Sequence, residues 1–161
     1  MKTMKRIFLV VAVFSSLFLL TGCGDSPEKE ELSKYLNEDM TVVLTLQDDL
    51  LKSLESVTGE NATTDQALYN ELNTKTLVLA RELSDEAKKI GENIKNEKLV
   101  EVHNAYIKYA DTMLASLTLL EEAAKTSNAS KGEESNTLMQ EAVKYADEYA
   151  EKLESLSKEY E

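Results

Sequence analysis

The chain has 161 residues with one Cys, one Pro, one His and no Trp, and 18 basic against 30 acidic residues leave a formal charge of −12. That length fits one domain with a single sizeable core. The acidic balance excludes the basic face that nucleic acid requires, and one His with one Cys cannot build a Cys/His zinc site or a disulfide framework. Met1 to Arg6 carries Lys2, Lys5 and Arg6 without an acid, and Ile7 to Leu20 follows with only Ser15 and Ser16 as polar breaks. As a helix this apolar run would span about 21 Å, short of the roughly 30 Å hydrocarbon core. Residues 1–22 are therefore expected to be a cleaved secretory signal peptide rather than a permanent membrane helix.

The stretch Leu20-Thr21-Gly22-Cys23 resembles a bacterial lipobox. The resemblance implies diacylglyceryl transfer to the Cys23 sulfur, cleavage before Cys23, and a palmitate-bearing N-terminus that anchors the protein at the extracytoplasmic face of the cell membrane. In a Gram-negative host it implies a periplasmic or outer-membrane lipoprotein. The covalent lipid on Cys23 is then the one attached group, with no further cofactor, and the mature chain folds without disulfides. Removing residues 1–22 takes three of the 18 basic residues and none of the 30 acidic ones, leaving 15 against 30, a side-chain charge of −15. Anionic head groups repel such a body. Its attachment would rest on acyl chains, at about 0.8 kcal/mol per buried CH₂.

Residues 23–26 form a short tether whose reach is about 10–15 Å. Ser26-Pro27-Glu28 reads as a helix start, with a capping Ser, Pro at the first helical position and an acid in the first turn. Apolar residues then recur at helical steps at Leu32, Leu36, Met40, Val43, Leu46, Leu50, Leu54 and Val57. The segment 58–64 has loop composition, and Thr63 with Gln66 matches a capping box. A second stripe runs Leu68, Leu72, Thr76, Leu79, Leu83, Ala87, Ile90 and Ile94, weakened by Gly91 at a cost of about 1 kcal/mol. Five residues separate Ile94 from Leu99, a phase slip that predicts a turn; a continuous helix is the alternative. The third stripe runs from Leu99 through Tyr106 and Met113 to Ala124. The segment 127–134 reads as a second loop, with Ser130 and Glu133 as another capping box, and the last stripe runs Met139 to Tyr160.

Four helices, about 27–57, 65–95, 98–126 and 134–160, predict an all-α, antiparallel up-down-up-down four-helix bundle over 27–161. A long-helix hairpin or three-helix bundle follows if 94–99 is continuous. Seven acid-then-Lys pairs at i,i+4 agree with helix: Glu30–Lys34, Asp48–Lys52, Glu71–Lys75, Asp85–Lys89, Glu121–Lys125, Glu148–Lys152 and Glu154–Lys158.

Di-metal bundles need Glu-x-x-His on two helices, and Val100 stands three residues before the single His103. Phosphate-binding, calcium-binding and Ser-hydrolase motifs are also missing from the sequence. No catalytic residue and no metal ligand is expected, and the chain reads as a non-enzyme. His103 is expected at the edge of the third stripe, partly buried and satisfied by a carboxylate or a Tyr hydroxyl; the sharper reading makes it a pH-sensitive or ligand-contacting group. In an antiparallel bundle Tyr35, Tyr106, Tyr109 and Tyr149 fall in the same half as His103. They form either a hydrogen-bonded core layer, the preferred reading, or the wall of a small pocket. Loops 58–64 and 127–134 would lie at the far end, where Asn61, Thr63, Asn128 and Ser130 are candidates for meeting a partner.

The lipobox, the short tether and Leu99-x-x-x-His103-x-x-Tyr106 after a turn are similar to small all-helical lipoproteins of Gram-positive bacteria, a generic likeness that carries no site residues over. The expected function is a lipid-anchored, non-catalytic interaction module at the cell envelope, with an envelope protein or wall component as partner. The alternative is an acidic binder or sequestering protein for a cationic peptide, metal ion or small ligand.

Overall fold

A computed structural model describes residues 26–56 and 64–160. Cys23, Asn61, Thr63 and the 1–22 segment lie outside them. The regular structure of the described residues is wholly helical and forms four rods. Helix α1 covers 27–55. The Ser26 hydroxyl accepts from the Lys29 N–H at 3.3 Å and Pro27 takes the first helical position, as the sequence predicts. Helix α2 covers 65–93 and starts from Thr64, whose hydroxyl accepts from the Ala67 N–H at 3.2 Å. Helices α3, Glu97–Thr126, and α4, Ala129–Tyr160, run without internal interruption. Among the described residues no helix is long and apolar enough to cross a membrane.

Both α1 and α2 contain one wide turn, and the buried stripe keeps most of its predicted members but departs from them near that turn. Tyr35–Asp39 and Leu72–Thr76 are π-helical: the Met40 N–H reaches the Tyr35 carbonyl and the Leu77 N–H reaches the Leu72 carbonyl, five residues back rather than four. Each turn takes in one additional residue. The core of α1 is therefore Leu32, Tyr35, Met40, Val43, Gln47 and Leu50, while the predicted Leu36, Leu46 and Leu54 are only partly buried. In α2 the five-residue step falls between Leu72 and Leu77, and the predicted Leu79 ends up at the edge. Local polar side chains support the distortion. The Asn37 amide donates to the Ser33 carbonyl at 2.8 Å, and the Thr76 hydroxyl donates to the Glu71 carbonyl, five residues back, at 3.3 Å.

The predicted turn between α2 and α3 is present, and the continuous-helix alternative is overturned. The chain is extended at Ile94 (ψ 130°) and again at Asn96 (ψ 115°). The Asn96 side-chain oxygen caps α3, accepting from the N–H groups of Lys98 (3.0 Å) and Leu99 (3.2 Å), and its amide donates to the Tyr160 hydroxyl at 2.7 Å. Glu31 of α1 accepts from the backbone N–H groups of Lys95 (2.6 Å) and Asn96 (3.1 Å). The Asn side chain and an acid from another rod stop the helix without Gly or Pro.

The second predicted loop needs correction. Residues 127–134 are not a loop: only Ser127 and Asn128 leave the helical path, and α4 begins at 129 rather than 134. Ser127 adopts the left-handed conformation (φ 48°, ψ 40°) that commonly ends a helix. Asn128 then caps α4, accepting from the N–H groups of Ser130 (3.1 Å) and Lys131 (3.3 Å), so the Ser130–Glu133 capping box gives way to an Asn cap two residues earlier. The surface pairs are corrected in part. Asp48–Lys52, Glu71–Lys75, Glu148–Lys152 and Glu154–Lys158 form. Lys34 instead meets Asp39, Lys89 meets Glu86, and Lys125 lies over the Tyr69 ring.

One apolar core joins the four rods, with Leu50 of α1, Leu72 and Leu83 of α2, Leu99 and Leu117 of α3, and Leu153 of α4 fully buried. Because Asn96 serves as a cap and as a contact to α4, Asn96→Ala is expected to cost about 1–2 kcal/mol of unfolding free energy. Asn128→Ala removes a cap alone and should cost less. Urea denaturation of the two variants followed by circular dichroism measures the difference.

Candidate functional site

The wide turn of α1 places Tyr35 in the core rather than at the edge of the stripe, and the predicted aromatic residues gather around it. Tyr35, His103, Tyr106 and Tyr149 are each 0–1 % exposed, and Tyr109 is buried beside them. Their order in space follows from the rods: Tyr35 on α1, Tyr149 on α4, and His103, Tyr106 and Tyr109 on successive turns of α3. The Tyr35 ring stands edge-on to His103 with centroids 5.5 Å apart. Tyr106 packs edge-on against Tyr149 at 5.1 Å and Tyr109 at 5.4 Å, and it stacks with His103 at 6.2 Å. Such pairs add about 0.5–1.5 kcal/mol each beyond simple burial. The structure thus brings together the five predicted residues, and His103 sits inside the core, not at the stripe's edge.

The proton positions follow from chemistry. His103 Nε2 lies 2.7 Å from the Ala87 carbonyl oxygen, which can only accept, so Nε2 carries a proton and donates. Burial pushes the His103 imidazole below its ordinary value, a shift the Ala87 carbonyl partly opposes, so the ring is neutral at pH 7 and Nδ1 is an acceptor. The Tyr35 hydroxyl, 2.9 Å from Nδ1, therefore donates to it. That hydroxyl has one proton, so in the 3.1 Å contact with Tyr149 it is Tyr149 that donates. The chain runs from the Tyr149 hydroxyl to Tyr35, from Tyr35 to His103, and from His103 to Ala87, and it touches all four rods.

Tyr106 closes a second link, donating to the Gln47 side-chain oxygen of α1 at 2.8 Å. Burial raises the Tyr35 and Tyr106 phenols well above their usual range, and it also raises Tyr109 and Tyr149. All four remain protonated phenols at physiological pH, so none is a base. The cluster is a set of neutral dipoles that satisfy one another inside the bundle.

Gly91 explains a feature that sequence reading counts only as a weakness in α2. A Cβ at this position would lie 3.2 Å from both His103 Cδ2 and Ile107 Cδ1, so the missing side chain makes room for the imidazole. Outside this contact an open groove of about 390 Å³ runs between α2 and α3. Lys88, Gly91 and Glu92 form one wall, Val100, Asn104 and Ile107 the other, and the His103 ring edge is its floor. The Lys88 ammonium is held at 2.7 Å by Asp111.

Sequence reasoning missed two further buried polar links. Ser53 of α1 bonds to Thr76 at 2.7 Å and to Glu71 at 2.8 Å, at the wide turn of α2. Ser116 and Ser135 exchange hydrogen bonds between α3 and α4, each hydroxyl reaching the other residue's carbonyl at 2.8–2.9 Å. Ser and Thr at buried phases of a helix were the available signal. Among the described residues no three His, Cys, Asp or Glu side chains converge where a metal ion could sit. Of the predicted partner residues, Asn128 and Ser130 are exposed but occupied in starting α4. In comparisons with known proteins, no family model, no curated protein and no solved structure matches this chain.

Tyr35→Phe removes the donor to His103 Nδ1, and Tyr106→Phe leaves the buried Gln47 oxygen without its donor. Each is expected to lower unfolding free energy by about 1–3 kcal/mol, read by urea denaturation. Gly91→Ala gains up to about 1 kcal/mol of helix propensity. It loses about 1–3 kcal/mol to overpacking, because His103 is fixed at both nitrogens and cannot retreat. The expected net is a lower melting temperature, measured in a thermal scan.

Proposed function

We propose that the protein is a lipid-anchored, extracytoplasmic lipoprotein whose helical bundle acts as a non-catalytic interaction module at the cell envelope. The observation that carries the non-catalytic reading is the closure of the Tyr149–Tyr35–His103–Ala87 chain: the groups best suited to chemistry are turned inward and bonded to one another. What faces outward is mainly charged and polar helix, with Val42 and Val78 as the exposed large apolar residues among those described. The anchor reading rests on Lys2, Lys5 and Arg6, the apolar run to Leu20, and the lipobox-like Leu20-Thr21-Gly22-Cys23.

In this reading the rods alternate up and down. Glu31 meeting Lys95 and Asn96, and Lys98 meeting Glu159, support one shared end. Ser127 donating to Asp65 at 2.9 Å supports the opposite one. Cys23 stands three residues before the Ser26 cap, so α1 rises almost directly from the lipid and the body is held close to the bilayer. Recognition falls to the acidic helix faces and to the end that carries 57–63 and the tight Ser127–Asn128 turn.

Metabolic labelling with radioactive palmitate tests the anchor. The wild-type chain should take up label and sediment with membranes, and Cys23→Ala should do neither; an unlabelled wild-type chain would end this reading. Photo-crosslinkers at positions 61, 129 and 88 in intact cells test the surface. Capture of one envelope component from 61 and 129 but not from 88 supports recognition at the distal end. Equal capture from all three positions, or none, removes it, and capture abolished by moderate salt favours the cationic-ligand alternative.

A further inference from the structure

A second proton on His103 reverses the direction in which the buried hydrogen-bond chain must run. Nε2 already donates to Ala87, and Nδ1 receives the Tyr35 proton. A proton on Nδ1 sets donor against donor. Tyr35 can then only turn its proton toward Tyr149, whose own proton points back at Tyr35. Both phenols must be re-aimed, inside the buried core.

We propose that His103 is an acid-sensitive latch: its protonation frees Tyr35 and loosens α1, at the wide turn Tyr35–Asp39, from the other three rods. The groups that face the ring leave the imidazolium uncompensated. From α1 comes the neutral Tyr35, with Asp39 beyond it paired to Lys34 at 2.6 Å. From α4 comes the neutral Tyr149, and from α3 itself Tyr106 and Asn104. From α2 come Lys88, whose like charge opposes a cation, and Glu92, which stands exposed on the groove rim where water screens it. Among the described residues no carboxylate is bonded to the ring. The groove gives protons a route to the ring edge beside Gly91.

The loosening falls on α1 for structural reasons. Helices α3 and α4 are tied independently of His103 by the Ser116–Ser135 exchange, the Lys98–Glu159 and Lys131–Glu122 pairs and the Tyr106–Tyr149 contact. Between the Glu31 contacts to Lys95 and Asn96 and the Gln47 contact to Tyr106, the polar hold on α1 is Tyr35, in a turn whose helical hydrogen bonds are already irregular. The folded imidazole titrates below its ordinary value of 6.5. The closed form is therefore fully stable above that pH and loses stability as pH falls below it, by up to roughly tenfold in the opening constant per pH unit. This inference rests on the buried network alone and is independent of the lipid anchor.

Hydrogen exchange of the full chain in detergent micelles, corrected for intrinsic rates, tests it between about pH 7.5 and about pH 5.5. The expected result is an opening constant for segment 31–43 that rises up to roughly tenfold per pH unit below 6.5, with 105–120 unchanged. In His103→Gln, which cannot titrate, the rise should vanish. The NMR signal of the lone imidazole supplies a second reading that does not depend on the variant folding, and its midpoint should lie below 6.5. Uniform loss of protection across both segments would overturn the latch. So would pH dependence retained in His103→Gln, or an ordinary midpoint near 6.5 with 31–43 still protected.

Discussion

An imidazole taken out of water needs a partner for each ring nitrogen, and here the partners come from different rods. His103 rides on α3, Ala87 supplies its acceptor from α2, Tyr35 its donor from α1, and Tyr149 of α4 extends the chain by one phenol. Leucine stripes attract without direction. Two such helices can slip along one another by a turn and still bury apolar surface. A hydrogen bond of 2.7 or 2.9 Å tolerates no such slip, and a buried group left without its partner costs about 1–3 kcal/mol. The His103 level therefore fixes the register of all four rods, and the leucines above and below it fill space that register has already defined.

Two irregularities follow from that requirement. A regular α1 in phase with Leu32 and Leu36 would carry Tyr35 at the stripe's edge; the π turn at Tyr35–Asp39 brings it inward and lets Met40 and Val43 resume the core. On α2 the ring needs a gap, and Gly91 provides it. At the second wide turn, Leu72–Thr76, the buried Thr76 hydroxyl meets Ser53 of α1. In each case a local departure from ideal helix is offset by a buried polar contact to another rod. Wide turns of this kind often mark positions where a side chain has a specific task.

Apolar periodicity was sufficient to read the four helices and the break before Leu99, and adding alternate rod directions to that spacing gathered Tyr35, Tyr106, Tyr109 and Tyr149 near His103. The two wide turns, and with them the partial exposure of Leu36 and Leu79, could not be read that way. A stripe at steps of three and four is compatible with Leu36 inside, and only contacts to α3 and α4 decide that Tyr35 goes in instead. The 127–134 error has a different origin. Ser, Asn, Lys and Gly read as loop by composition, yet Asn128 as a cap makes the following Ser130 and Gly132 cheap to hold in helix. Gly91 looked like a defect because its use lies on a different helix.

The outer surface carries the remaining argument. Lys34, Lys52, Lys75, Lys88, Lys89, Lys98, Lys131, Lys152 and Lys158 each pair with a carboxylate. Exposed pairs of this kind contribute little to stability, about 0–1 kcal/mol apiece. Their larger effect is on the field. Much of the positive charge is neutralised in place, while acids outnumber bases by 30 to 18 across the sequence, so a visiting molecule meets a negative body. The Ser127–Asn128 turn is too short to offer an adaptable loop. The described outer surface is thus rigid, acidic helix, and a basic or hydrogen-bond-donating surface is the chemistry that complements it.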